Sequence, residues 1–174
     1  MVLIRRAVAD DAAAIAAIYA PFVDTSRASF EELPPDPEEM ARRMAGGERV
    51  YPWLVAQVSG RVVGFSNSTA FRQRSAYRWT VETGIYVAPE RQRHGVGRTL
   101  GLAMIEELAR RGYASAVASI TLPNEPSVAL HEALGYSSVG GIRGAGFKLG
   151  AWADIGYWQR DLAERLVPPG EPVG

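Results

Sequence analysis

The chain has 174 residues, with 19 basic and 19 acidic side chains, a formal net charge of zero and no cysteine. That length suits one domain able to bury a core, and 47% hydrophobic with 22% charged residues is a globular composition, neither disordered nor membranous. Lack of cysteine excludes disulfides, thiolate metal sites and a cysteine nucleophile, and balanced charge argues against a nucleic-acid binder held by general phosphate attraction.

A first strand is predicted over Val2–Ala7. Asp10 or Asp11 then caps a helix whose apolar residues Ile15, Ile18, Tyr19 and Phe22 fall on one face. After a polar loop from Asp24 to Pro35, Asp36-Pro37-Glu38-Glu39 starts a second helix through Met40 and Met44, ending at Gly46-Gly47. Trp53–Val58 and Arg61–Phe65, joined by Ser59-Gly60, read as an antiparallel hairpin. Trp79–Val87 is a strand with Glu82 inside it, closed by Pro89.

A long helix is predicted over Gly97–Arg111, with Leu100, Met104 and Leu108 on one face, ion pairs Glu106–Arg110 and Glu107–Arg111, and Gly112 as its stop. Ala114–Thr121 is a strand, Asn124–Leu134 a short helix ended by Gly135, and Tyr136–Gly140 and Phe147–Arg160 are two further strands. The expected fold is a single α/β domain over residues 1–162, with a mixed, mostly antiparallel central sheet flanked by helices. Residues 163–174, rich in proline and glycine, read as a disordered tail or an edge extension. The opening residues turn polar too early for a signal peptide, and no stretch approaches the roughly 18 apolar residues of a membrane span, so a cytoplasmic protein is expected.

The most informative segment is Gln92-Arg93-His94-Gly95-Val96-Gly97-Arg98, between a strand and a long helix. Backbone N–H groups at a helix start, approached through glycine and flanked by Arg91, Arg93 and Arg98, suit a phosphate. The alternative is a glycine-containing helix start with solvated arginines and no ligand. A dinucleotide fingerprint fails because the next glycine, Gly101, stands one position too far on, and the lysine–hydroxyl pair of a P-loop is missing.

This segment resembles the Gln/Arg-x-x-Gly-x-Gly/Ala signature of the GNAT superfamily of N-acetyltransferases, and the likeness extends from Val2 to Leu162. A closer likeness, to its phosphinothricin N-acetyltransferase group, rests on Trp79-Thr80-Val81-Glu82, Leu122-Pro123-Asn124-Glu125-Pro126-Ser127, Leu130-His131-Glu132-Ala133-Leu134-Gly135-Tyr136, Ala145-Gly146-Phe147-Lys148 and Gly156-Tyr157-Trp158-Gln159. The resemblance implies acetyl-CoA as co-substrate and no metal. Its pyrophosphate would lie on Gln92, Arg93, His94, Gly95, Val96, Gly97 and Arg98, and its pantetheine arm along Ile85, Tyr86 and Val87, with Asn124 and Ser127 nearby. It also implies Glu82 and His131 as the catalytic pair, and Phe30, Arg72, Arg74, Tyr77 and Tyr86 at a small amino-acid acceptor.

Without cysteine, acetyl transfer would be direct from thioester to amine. Arginine forks in Phe71–Arg78 suit an oxyanion-bearing side chain, as in phosphinothricin, methionine sulfoximine or methionine sulfone, rather than a cationic acceptor. Thr83-Gly84 follows Glu82 where the phosphinothricin enzymes carry Ser-Thr, so a hydroxyl near the acceptor is lost. A homodimer is implied by the resemblance. The competing readings are a non-catalytic acyl-CoA sensor and an acetyltransferase of protein amines. The first should lack the Glu82–His131 pair, and the second needs an open peptide groove.

Overall fold

The computed structural model describes residues 1–47 and 50–173; Gly174, the last residue of the expected tail, lies outside the described residues. In chain order the elements are β1 (Leu3–Arg6), α1 (Ala12–Asp24), α2 (Pro37–Ala45), β2 (Trp53–Val58), β3 (Arg61–Ala70), β4 (Thr80–Val87), α3 (Val96–Arg110), β5 (Ser115–Leu122), α4 (Glu125–Ala133), β6 (Ser137–Lys148) and β7 (Ala151–Asp161). The strands form one sheet in the order β1-β2-β3-β4-β5-β7-β6. All neighbours are antiparallel except β4 and β5, as a mixed, mostly antiparallel sheet requires.

Strand alternation sends successive side chains to opposite faces, and each face buries its own core. Val81, Ala116, Ala118 and Trp158 pack beneath Leu100, Met104 and Leu108 of α3. Val55 and Phe65 on the other face pack against Ile15, Tyr19 and Val23 of α1 and against Met40 and Met44 of α2. The apolar spacing of α1, α2 and α3 is thus the spacing of buried residues. Asp36 caps α2 by accepting a hydrogen bond from the Glu39 amide at 2.8 Å.

Four local expectations are corrected. Asp11 stands at the cap position of α1 without capping it; its carboxylate turns back to the Val8 amide at 2.8 Å and to the Arg5 guanidinium at 2.7 Å. That ion pair holds the Asp11 carboxyl below its ordinary range. Strand β3 continues five residues past the predicted Phe65, because Ser66–Ala70 keep pairing with β4. The last two strands meet at Leu149-Gly150, and Gly141–Lys148 belong to β6 despite their glycines. Two irregularities, at Ser138/Gly140 and Ile142/Gly146, absorb the glycine-rich stretch while pairing with β7 continues.

The fourth correction concerns α3. Glu107 pairs with Arg111 as expected, at 2.8 Å, but Arg110 also turns to Glu107, at 3.0 Å, and Arg6 joins them at 3.1 Å. Glu106 is exposed, whereas Arg111 is 1% exposed and further hydrogen-bonded to the Val50 carbonyl. Residues 163–173 run back along the sheet end as an ordered edge. Trp79 Nε1 donates to the Gly170 carbonyl at 2.6 Å, Arg78 grips Glu171 at 2.6 Å, and the Val173 amide donates to the Arg111 carbonyl at 2.8 Å. No helix among the described residues is long and apolar enough to cross a membrane.

Removing one member of a buried ion pair strands its partner's charge. Glu107→Ala should therefore destabilise the fold by about 3 kcal/mol in urea unfolding. The exposed neighbour variant Glu106→Ala should stay within about 0.5 kcal/mol of wild type.

Candidate active site

Parallel pairing between β4 and β5 lasts only three residues: Thr80 opposite Ser115, Val81 opposite Ala116 and Glu82 opposite Val117. Beyond that point the strands part. Strand β4 keeps its pairing with β3 up to Val87, and β5 keeps its pairing with β7 up to Leu122. A fork therefore opens at Glu82, with the backbone edge of Thr83–Val87 free of a strand partner on its β5 side. Tyr136 wedges the fork from the α3 face: its hydroxyl is 3.2 Å from Thr83 Oγ1, which lies 3.4 Å from the Val117 carbonyl oxygen.

At the far end of β4 the chain turns into α3. Gln92 Nε2 donates to the Val87 carbonyl at 3.1 Å, fastening the turn to the strand. Gly95 is the helix cap with φ of 80°, a conformation glycine adopts without strain, and it offers no side chain to the first-turn amides. The first described acceptor contact of the helix is Thr99 N to Gly95 O, so the amides of Val96, Gly97 and Arg98 point ahead of the helix. Nothing stands within 4 Å of a Cβ placed at Gly95, which leaves room for a bulky anion. Arg91, Arg93, His94 and Arg98, close by in the chain, are exposed, a setting that suits an anion. Gly101, the glycine that spoils a dinucleotide fingerprint, serves packing instead: a Cβ there would collide with Leu134. At Gly97 a Cβ would lie 3.2 Å from Leu130. These contacts bring α4 hard against α3.

Helix α4 carries His131, 4% exposed, on the α3 side of the sheet. Asn124 caps the helix by accepting from the Ser127 amide at 3.3 Å. His131 Nδ1 lies 2.8 Å from the Ser127 carbonyl oxygen, which can only accept, so Nδ1 carries the proton and Nε2 presents a lone pair. Nε2 is buried without a hydrogen-bond partner. Burial pushes the imidazole below its ordinary value of 6.5, while the Ser127 carbonyl works in the opposite sense. The ring also stands edge-on to Tyr136 at 5.3 Å. Ser127 thus orients His131.

Glu82 is half-buried and faces the opposite side, with Thr80, Gly84 and Tyr86. Tyr86 meets Tyr19 of α1 at 4.8 Å and Phe22 at 5.2 Å, and desolvation pushes its hydroxyl well above the usual phenol range. On this same face lies a cavity of about 750 Å³. Its walls include Phe71, Arg72 and Tyr77, its floor Thr80 and Val117, and its roof residues 163–166 and 169–171. Arg72 stacks on Phe71 at 4.3 Å, and Tyr77 meets Phe71 edge-on at 5.9 Å. Arg74 is exposed and lies outside the cavity lining, and Arg78 is taken by Glu171. Of the three arginines in this loop, Arg72 alone lines the cavity.

Phe30 comes to this face by a route the sequence hides. Its ring packs against Gly146 of β6, where a Cβ would lie 2.8 Å away. Lys148, 7% exposed, donates from Nζ to the Ser26 carbonyl at 2.9 Å and the Ser29 carbonyl at 2.7 Å, clamping the α1–α2 loop to the sheet. Desolvation lowers its pKa. Nothing local marks Lys148 as buried, since its partners lie more than a hundred residues away.

A forked sheet with one open backbone edge, leading to an anion-binding helix start, defines a transferase that holds its acyl donor as a nucleotide-derived thioester. The chain belongs to the Acetyltransferase (GNAT) family, which it matches over residues 16–136. It is an acetyl-CoA-dependent N-acetyltransferase. It is 44% identical over 170 residues to a phosphinothricin N-acetyltransferase of Streptomyces viridochromogenes, a likeness covering 98% of this chain and 92% of that protein. It is 34% identical over 170 residues to an L-methionine sulfoximine/L-methionine sulfone acetyltransferase of Salmonella typhimurium, covering 95% and 97%. Among solved structures it is similar to a GNAT superfamily phosphinothricin acetyltransferase from Sinorhizobium meliloti in complex with AcCoA, with a TM-score of 0.90 and 36% identity, covering 99% and 95%.

Only two histidines occur, so their resonances are separable. The ring of His131 should titrate below 6.5 in NMR, and the resonance should vanish in His131→Gln. Because folding favours its neutral form, its contribution to stability is complete above the unfolded value near 6.5 and is lost as pH falls below it. The stability of His131→Gln should fall less steeply over that acidic interval than that of wild type.

Proposed function

We propose that the protein moves the acetyl group of acetyl-CoA directly to the α-amine of a small amino acid with an oxyanion-bearing side chain, with L-phosphinothricin as the preferred acceptor. The observation that carries this reading is the fork, with Glu82 on one face and the lone pair of His131 on the other. Arg72 and Tyr77 in the cavity on the Glu82 face supply a cationic fork and a hydroxyl for carboxylate or phosphinate oxygens. Methionine sulfoximine and methionine sulfone carry similar side-chain oxygens, and the relative from Salmonella typhimurium supports them as the second reading.

In this reading the donor lies with its pyrophosphate on the amides and side chains of Gln92–Arg98, and its arm runs along the open edge at Ile85–Val87 past Asn124. The acceptor enters from the other face as an ammonium ion. Glu82 takes the first proton and releases it through the cavity. The free amine attacks the thioester carbon, and backbone N–H groups of the open edge receive the oxyanion. The nitrogen then carries one proton too many. His131 Nε2 accepts it and returns it to sulfur as the C–S bond breaks, giving amide and free thiol. One proton in total leaves to solvent.

We place the catalytic unit in residues 1–162, with residues 163–173 as a wall of its acceptor cavity. The pairing of two copies is supported by an apolar surface on β6 and β7: Val139, Ile142, Phe147 and Trp152 are all exposed, Trp152 at 69%. Trp158 one hairpin face away is core. A cytoplasmic location fits a donor made and used inside cells.

Thiol release from acetyl-CoA, followed across phosphinothricin, methionine sulfoximine, methionine sulfone, a polyamine and an aminoglycoside, tests the reaction; the cysteine-free protein gives no background. Release with the oxyanion-bearing amino acids alone is expected. Glu82→Ala and His131→Ala should each lower kcat about 100-fold or more. Both variants within about threefold of wild type would remove them from the mechanism. In sedimentation the wild type should run as a dimer and Trp152→Glu as a monomer.

A further inference from the structure

Asn67 of β3 stands directly opposite Gly84 of β4. Two positions away along the ladder on each side are the pairs Thr69 with Glu82 and Phe65 with Tyr86, so Asn67 shares their face of the sheet, between the catalytic carboxylate and the tyrosine beside the acceptor. Diagonal neighbours across two strands lie about 7–8 Å apart at the backbone, within reach of one bound amino acid. The Asn67 side chain fills the space that glycine leaves: a Cβ at position 84 would come 2.7 Å from Oδ1, and 3.1 Å from the Tyr86 ring. Yet Oδ1 is buried and accepts no hydrogen bond. The residue itself is half-buried, so the other end of the carboxamide reaches the open side.

We propose that Asn67 is an acceptor-binding residue, its carboxamide hydrogen-bonding the amino group of the bound amino acid in the place where a hydroxyl at position 84 would otherwise stand. This rests on the amino-acid acceptor proposed above. An orphaned carbonyl oxygen next to Glu82 is a ready acceptor for an ammonium or amine N–H. No hydrogen bond holds the carboxamide in one orientation, so a half-turn presents its oxygen to the open side without breaking any contact of that kind. With Glu82 taking one proton of the ammonium and Asn67 Oδ1 accepting a hydrogen bond from an N–H that remains, the nitrogen lone pair left by deprotonation is aimed at the fork. Gly84 and Asn67 act together: glycine opens the gap, and asparagine brings the polar group into it from the neighbouring strand.

The test is calorimetric binding of phosphinothricin and of methionine sulfone to the CoA-loaded protein, with acetyl-transfer kinetics alongside, for wild type, Asn67→Leu, Gly84→Ser and the double variant. Asn67→Leu keeps the side-chain volume and removes the amide. It should weaken acceptor binding, and raise acceptor KM, about tenfold, while KM for acetyl-CoA stays within about twofold. Gly84→Ser should displace the carboxamide and change the preference between the two acceptors. In the double variant the serine hydroxyl should restore part of the lost affinity, so the two effects are not additive. Unaltered acceptor binding in Asn67→Leu, or an equal rise in KM for acetyl-CoA, would overturn the proposal. Thermal unfolding and CoA affinity near wild type show that the variants fold. Wild-type binding of either acceptor without thiol release would refute the proposed reaction but leave the Asn67 comparison decisive; no wild-type binding of either would refute both.

Discussion

Three residues of parallel pairing hold β4 to β5, and the donor and acceptor sites proposed above are both arranged around the point where that pairing stops. A sheet edge left unpaired inside a folded protein is unfavourable unless something else satisfies it, because each N–H and C=O there seeks a partner. Here the open edge runs straight to the amides at the start of α3, which also lack partners. In the proposed binding mode the extended arm and the phosphates of acetyl-CoA would answer both needs at once. Tyr136 and Thr83 pack between the two strands, so the gap is a packed feature of the core.

The fork also divides the chemistry between the two faces of the sheet. Helix α3 and helix α4 approach closely over Gly97 and Gly101, and this places His131 beside the gap from one side. Burial keeps the imidazole neutral, and the Ser127 carbonyl fixes which nitrogen is free. Glu82 stands half-buried on the other side, on the face that holds the cavity. In the proposed reaction, two titratable groups in different surroundings would perform two different proton transfers with the sheet between them.

Distant parts of the chain meet on the face of the sheet that holds the cavity. The α1–α2 loop with Phe30 is held by Tyr19 through Ser29, by the Glu31–Arg43 pair and by Lys148 of β6. Residues 169–171 close the opposite wall through Arg78 and Trp79. Each of these segments lacks regular structure, so its position depends on specific side-chain contacts. The apolar surface of β6 and β7 lies on the same end of the sheet, which ties the shape of the acceptor site to whatever covers that surface.

Much of this protein was legible in its amino-acid order because the signals are local. Helix caps at Asp36 and Asn124, apolar spacing in α1 and α3, the Ser59-Gly60 turn and the glycine-rich start of α3 each act over a few residues, and each forms where expected. The same order misjudged β6, whose glycines signal a break but whose pairing with β7 overrides them. It also could not show that Asp11 turns to Arg5, that Arg111 is buried or that Arg78 is held by Glu171. The fork, the separation of Glu82 from His131 by the sheet and the meeting of Asn67 with Gly84 belong to the tertiary structure alone. They depend on strand register and on packing between residues far apart in the chain, and no local propensity encodes either.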